Sequence, residues 1–142
     1  MNMEIKFRGK HEDSGEWYFG YYVKDRYGRH YILMEYNGLA TNAYSVDGDT
    51  VGRYTGLKDK HGTEIFEGDV MGRLFDDYPE NTIVCYKGGL LCAKPVGRKK
   101  YRPLNIFQGV GWIPVTSKNR NYNFTIIGNK HDNPELLAGG FF

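Results

Sequence analysis

Several things are scarce in this sequence, and each scarcity excludes a class. The 142-residue chain has two cysteines, too few for a disulfide scaffold, so its thiols are expected to be reduced in a cytosolic setting. No apolar run approaches the roughly 18 residues of a membrane span, which argues against an integral membrane protein. The opening Met1-Asn2-Met3-Glu4-Ile5-Lys6-Phe7-Arg8 lacks a basic region followed by an apolar one, so no secretory leader is expected. No window shows a sustained i, i+3, i+4, i+7 apolar stripe, which argues against a helical protein. No G-x-S-x-G, phosphate loop or dinucleotide fingerprint occurs either, and the chain reads as a non-enzyme.

Acid is also missing, over one long stretch. Residues 1–70 hold 9 Lys/Arg against 12 Asp/Glu, a net of −3, and residues 71–142 hold 10 against 5, a net of +5. From Asn81 to His131 there is no Asp or Glu at all, while nine cations occur there. A segment with one sign of charge attracts anions, nucleic acid among them, unless the fold interleaves it with the acidic half and cancels the field.

Glycine, tyrosine and phenylalanine are plentiful. Glycine is 19 of 142 residues, about 13%, against a usual share of about 7%. Aromatic and β-branched residues favour pleated, half-buried surfaces, and glycine supplies the turns between them. Strand-sized runs follow one another: Ile5–Arg8, the nearly all-aromatic Trp17–Val23, His30–Met34, Ala43–Val46 and Thr50–Thr55. Asp25–Gly28 reads as a hairpin loop, Asn37-Gly38 as another turn signal, and Asp47-Gly48-Asp49 as a chain break. Beyond a loop at Gly56–Glu64 come Ile65–Met71, Thr82–Tyr86, Leu90–Ala93, Ile106-Phe107, Gly111–Val115 and Asn123–Gly128. Asn133-Pro134-Glu135-Leu136-Leu137 reads as one helical turn, with Asn capping and Pro in the first position.

About ten short strands at near-regular spacing predict a mainly β fold, a sandwich or barrel. Glu67-Gly68-Asp69-Val70 has the character of a turn into a strand of a small SH3-like barrel. The expected organisation is an N-terminal antiparallel sheet over residues 1–55 and an SH3-like β-barrel region over 60–138. One short C-terminal helical turn and a flexible tail at 139–142 complete it.

Longer signatures carry a likeness. The stretch Val51-Gly52-Arg53-Tyr54-Thr55-Gly56-Leu57-Lys58-Asp59-Lys60-His61-Gly62-Thr63-Glu64-Ile65-Phe66-Glu67-Gly68-Asp69-Val70 resembles the central signature of the YopX family. The closing Phe124-Thr125-Ile126-Ile127-Gly128-Asn129-Lys130-His131-Asp132-Asn133-Pro134-Glu135-Leu136-Leu137 is similar to that family's last motif. Phe7-Arg8-Gly9, followed by Trp17 and Gly20, fits its opening. Arg53 stands where the family more usually carries glutamine. The resemblance implies a mostly β protein of bacteriophages and prophages, acting in the cytoplasm of the bacterial host cell. It brings no established activity and therefore no catalytic residues.

Lys58, Asp59, Lys60, His61, Glu64, Glu67 and Asp69 read as a turn-rich connector whose Asp and Thr side chains bond their own loop. An active site using Asp59, His61 and Asp69 is the competing reading. His11, His30, His61 and His131 have no metal-ligand spacing, so no metal and no cofactor is expected. A two-residue turn at Gly88-Gly89 sets Cys85 opposite Cys92, either as ordinary buried thiols or as a redox pair. Arg98, Lys99, Lys100, Tyr101 and Arg102 form the densest basic cluster, with Lys118, Arg120 and Tyr122 downstream. Cations can hold phosphates while a ring stacks a base, so these eight are the candidate nucleic-acid or anion site. The competing reading is a solvated loop. The partner is expected to be nucleic acid or a host or phage protein, with no membrane. Aromatic content and exposed strand edges also suit a homo-oligomer or protein-interaction module.

Overall fold

The computed structural model describes residues 5–72, 81–87, 90–95 and 125–137. It divides into two compact units, Met1–Gly56 and Leu57–Phe142. Each is mainly β. The one helical element among the described residues is a short 3-10 turn, Pro134–Leu137.

The first unit is built from β1 (Phe7–His11), β2 (Trp17–Lys24), β3 (His30–Tyr36) and most of β4 (Leu39–Lys58). All pairings are antiparallel: β1 with β2, β2 with β3, β3 with β4, and β4 back to β1. That circuit closes a four-stranded ring. A ring this narrow has little interior. Ile32 and Val46 fill it and are fully buried. A Cβ placed on Gly9 would lie 2.8 Å from Val46 Cγ2 and 3.1 Å from Ile32 Cγ1, so only glycine fits there. Around this centre Phe7 packs on Tyr22, Tyr18 stacks on Tyr44 at 4.1 Å, and Tyr22 stacks on His30. The Tyr22 hydroxyl also lies 2.6 Å from His30 Nδ1.

The turns of this unit follow their residue chemistry. Asn37 and Gly38 form the two-residue β3–β4 loop with φ of 53° and 80°. Two successive positive φ values are what a type I′ hairpin turn demands. At the β2–β3 turn Asp25 accepts bonds from the Tyr27 and Arg29 amides and from Arg29 Nε, each at 2.9 Å.

One local signal is overridden. The sequence breaks the chain at Asp47-Gly48-Asp49, yet β4 runs through it as one strand of 20 residues. The Asp47 carboxylate accepts the Asp49 amide, and the Thr50 hydroxyl donates to the Asp47 carbonyl at 2.6 Å. The same hydroxyl accepts the Lys10 amide at 2.8 Å, where the β1–β4 register shifts. Side chains thus turn a predicted break into a bulge within a continuous strand.

In the second unit, the end of β4 leads through residues 59–63 into its neighbour β5 (Glu64–Phe66). A second sheet has the order β8-β7-β6-β9. Its strands are β6 (Asp69–Met71), β7 (Thr82–Lys87), β8 (Leu90–Pro95) and β9 (Ile126–Asn129). Its core is Ile65, Phe66, Val70, Met71 and Val84, with Cys92 at its margin. Residues 106–107 and 111–115, expected as extended pieces, lie outside the described residues, as does the tail at 139–142. Asn133 departs from the capping expectation. Its backbone carbonyl accepts the Leu136 amide, while its side-chain oxygen reaches back to the Asn129 amide.

Candidate functional site

The eight residues proposed from sequence as an anion site, Arg98, Lys99, Lys100, Tyr101, Arg102, Lys118, Arg120 and Tyr122, lie outside the described residues. Of the acid-free stretch, β7, β8 and the β9 region are described. Lys94 is half-buried on β8, and Lys130 is exposed just after β9.

The motif loop around Asp59 is fully described, and its two aspartates are engaged by backbone amides. Asp59 is buried, and its Oδ1 accepts the amides of His61 at 2.8 Å and Thr63 at 2.9 Å. Its Oδ2 accepts the amide of Ile126 at 3.1 Å, 67 residues away. Burial alone would raise the Asp59 pKa, but the three amides outweigh it and hold the carboxyl below the usual range. Asp69, almost fully buried, accepts the Phe66 amide at 2.7 Å. Gly56, Gly62 and Gly68 all have φ between 84° and 94°, a region that side-chain-bearing residues avoid. The two carboxylates therefore serve as acceptors for backbone amides, and the glycines supply left-handed backbone. No group of three or more His, Cys, Asp or Glu suited to a metal occurs among the described residues.

Cys85 and Cys92 are directly opposed across the β7–β8 hairpin, in the register set by its two-residue loop. Neither forms a disulfide. Burial, and then the neighbouring Cys92, raise the Cys85 pKa, which lowers its thiolate fraction at neutral pH.

A surface that sequence reading passed over lies on the ring. Directly opposed residues of an antiparallel pair point to the same face. Arg8 faces Phe19, Lys10 faces Trp17, Tyr21 faces Leu33 and Val23 faces Tyr31. The outer face of β2 is therefore Trp17, Phe19, Tyr21 and Val23. The last three are 44%, 43% and 39% exposed. Cations accompany the rings. The Arg8 guanidinium lies 4.7 Å and the Lys10 ammonium 5.9 Å from the Trp17 ring centre, and Lys6 lies 5.4 Å from that of Tyr54. At the β2–β3 turn Tyr27 is flanked by Arg26 at 5.2 Å and Arg29 at 5.3 Å. A groove of about 490 Å³ opens beside Phe19 and Tyr21, lined also by Lys6, Met34 and Glu35. The Tyr21 hydroxyl donates to Glu35 Oε2 at 2.8 Å. The signal in the sequence was alternation on β2. It was hidden because the inward residues Tyr18 and Tyr22 are aromatic as well.

The family model described as YopX protein matches residues 6–138, nearly the whole chain. The chain belongs to the YopX family. None of the curated proteins matches it. Among solved structures, this YopX-family chain is similar to the crystal structure of protein EF1440 from Enterococcus faecalis. Sequence identity is 23% and the TM-score 0.54, over 96% of this chain and 99% of that one. At that identity the likeness speaks for the shared fold. No helix among the described residues of the YopX-family chain is long and apolar enough to cross a membrane.

Proposed function

We propose that this YopX-family chain is a non-catalytic accessory protein of a phage or prophage that binds an anionic partner, foremost nucleic acid, in the host cytoplasm. The observation that carries the reading is the acid-free stretch from Asn81 to His131 with its nine cations. Lys and Arg that neutralise phosphates release condensed counterions, which supplies affinity and makes it fall steeply with salt. The non-catalytic part of the reading draws on the motif loop, where Asp59 and Asp69 are taken up by backbone amides. Fluorescence polarisation with labelled single- and double-stranded DNA and RNA at two salt concentrations tests it. Binding that weakens on adding salt supports the reading, and no binding at low salt ends it.

A second reading is a homo-oligomeric structural module, or one that docks a host or phage protein. The exposed Phe19, Tyr21, Val23, Leu39 and Ile127 favour it. Light scattering behind size exclusion discriminates, because a purely monomeric chain counts against self-assembly.

A further inference from the structure

The basic stretch would attract any polyanion, and by itself it does not distinguish a duplex from a single strand. The outer face of β2 does make that distinction. Strand residues two apart sit about 6.4–6.8 Å apart on one face. Trp17, Phe19, Tyr21 and Val23 therefore form a row along one face. Two of them, Phe19 and Tyr21, present rings at 44% and 43% exposure. The row runs toward the hairpin tip, where Tyr27 is 69% exposed between two arginines. Rings accessible on a sheet face, with cations beside them, match what single strands require. Unpaired bases offer their faces for stacking, and the flexible backbone brings phosphates to nearby Lys and Arg. A duplex keeps its base faces stacked inside and cannot use such rings.

The cations divide by role. Arg8 is buried beside Trp17 and holds that ring in place. Lys6 and Lys10, half-buried, and Arg26, exposed, lie at the margins where a strand's phosphates would run, while Arg29 is paired with Asp25 at 2.9 Å. Two acids lie among these groups, Asp25 at the hairpin tip and Glu35 beside Tyr21. Glu35 serves the ring. Its Oε2 accepts the Tyr21 hydroxyl proton, which fixes that side chain in the groove.

We infer that the outer face of β2 is a base-stacking platform, with Phe19 and Tyr21 as its central rings, and that the nucleic acid this chain takes is single-stranded. The inference rests on the reading of the chain as a nucleic-acid binder and names the form of the partner.

The test compares, on the full chain, a labelled oligothymidylate, an abasic oligomer of the same length and a duplex. The oligothymidylate is expected to bind about tenfold more tightly than the abasic strand, given what base stacking on an aromatic ring contributes. Phe19→Ala and Tyr21→Ala are each expected to remove most of that margin and to leave abasic binding unchanged. Tyr21→Phe keeps the ring, loses the bond to Glu35, and is expected to bind like the parent. Both residues are surface-exposed, and an unchanged thermal midpoint for each variant confirms that the ring is intact. Equal binding of the oligothymidylate and abasic strands, or alanine variants without effect, overturns the platform and leaves the anionic reading standing. No binding of any polyanion at low salt overturns both.

Discussion

The two units differ in what dominates the holding of their strands. In Met1–Gly56 the backbone does the closing. Four strands pair into a ring, and a few small or apolar groups at Gly9, Ile32 and Val46 fill its centre. In Leu57–Phe142 carboxylates and amides do the tying. Asp59 joins its own loop to β9, Asp69 holds the Phe66 amide, and Asn129 and Asn133 stitch the closing turn. The first unit should therefore be sensitive to volume, and the second to the loss of an acceptor and to acid. The difference also accounts for the long charged motif. Several of its polar residues build the backbone of the second unit, so their presence says little about chemistry.

Substitutions in each unit should act on that unit alone. The largest effect is expected for Asp59→Ala, which strands three amides. The three bonds are part-buried, so at about 1 kcal/mol for each the loss should be about 3 kcal/mol. Asp59→Asn, which keeps an acceptor for two of the three amides, should lose about half as much. Hydrogen exchange should rise at His61, Thr63 and Ile126 while the ring amides of β1–β3 stay protected. Equal deprotection of both units would contradict the division of labour. Next comes Gly9→Ala, whose methyl would press on Val46 and Ile32. Overpacking of this kind costs about 2 kcal/mol. Exchange should now rise in the ring and stay unchanged in β6, β7 and β9.

How much of this was legible in the sequence depends on whether a local signal decided the outcome. Asn37-Gly38 was legible because its φ requirement is intrinsic to those two residues. The facing of Cys85 and Cys92 was legible because a two-residue loop fixes the register by counting. Asp47-Gly48-Asp49 misled because its partners are remote. Thr50 bonds the Lys10 amide 40 residues away, and no window around residue 48 contains that contact. The reach of Asp59 to Ile126 was invisible for the same reason. At the level of the site, the basic cluster Arg98–Arg102 was legible as charge, and it lies outside the described residues. The β2 face was not legible, because Trp17–Val23 is apolar on both sides and only pairing shows which rings face outward.

Acid should sharpen the contrast. The Asp59 carboxyl has a depressed pKa in the folded chain. Its stabilisation is therefore fully present above the unfolded carboxyl value of about 3.9 and is lost as pH falls through the lower folded value. The second unit should open first on acidification, and Asp59→Asn should flatten that part of the pH profile followed by circular dichroism. Asp25, in the first unit, is also depressed, foremost by the Arg29 amide. Solvent screens that exposed turn, so its contribution to the profile should be slight. The smallest effect is expected for Gly38→Ala, which forces a methyl onto φ of 80°. It should cost about 1 kcal/mol, read as a small drop in the denaturation midpoint of the ring.

Nucleic-acid binding is proposed for the acid-free stretch and, separately, for the β2 rings. Photo-crosslinking a halogenated single-stranded oligonucleotide to the full chain at low salt, followed by peptide mapping, addresses it most directly. Adducts are expected within residues 81–131 and on the Trp17–Val23 strand, both diminishing as salt is raised. Adducts confined to other segments, or none at low salt, would contradict it.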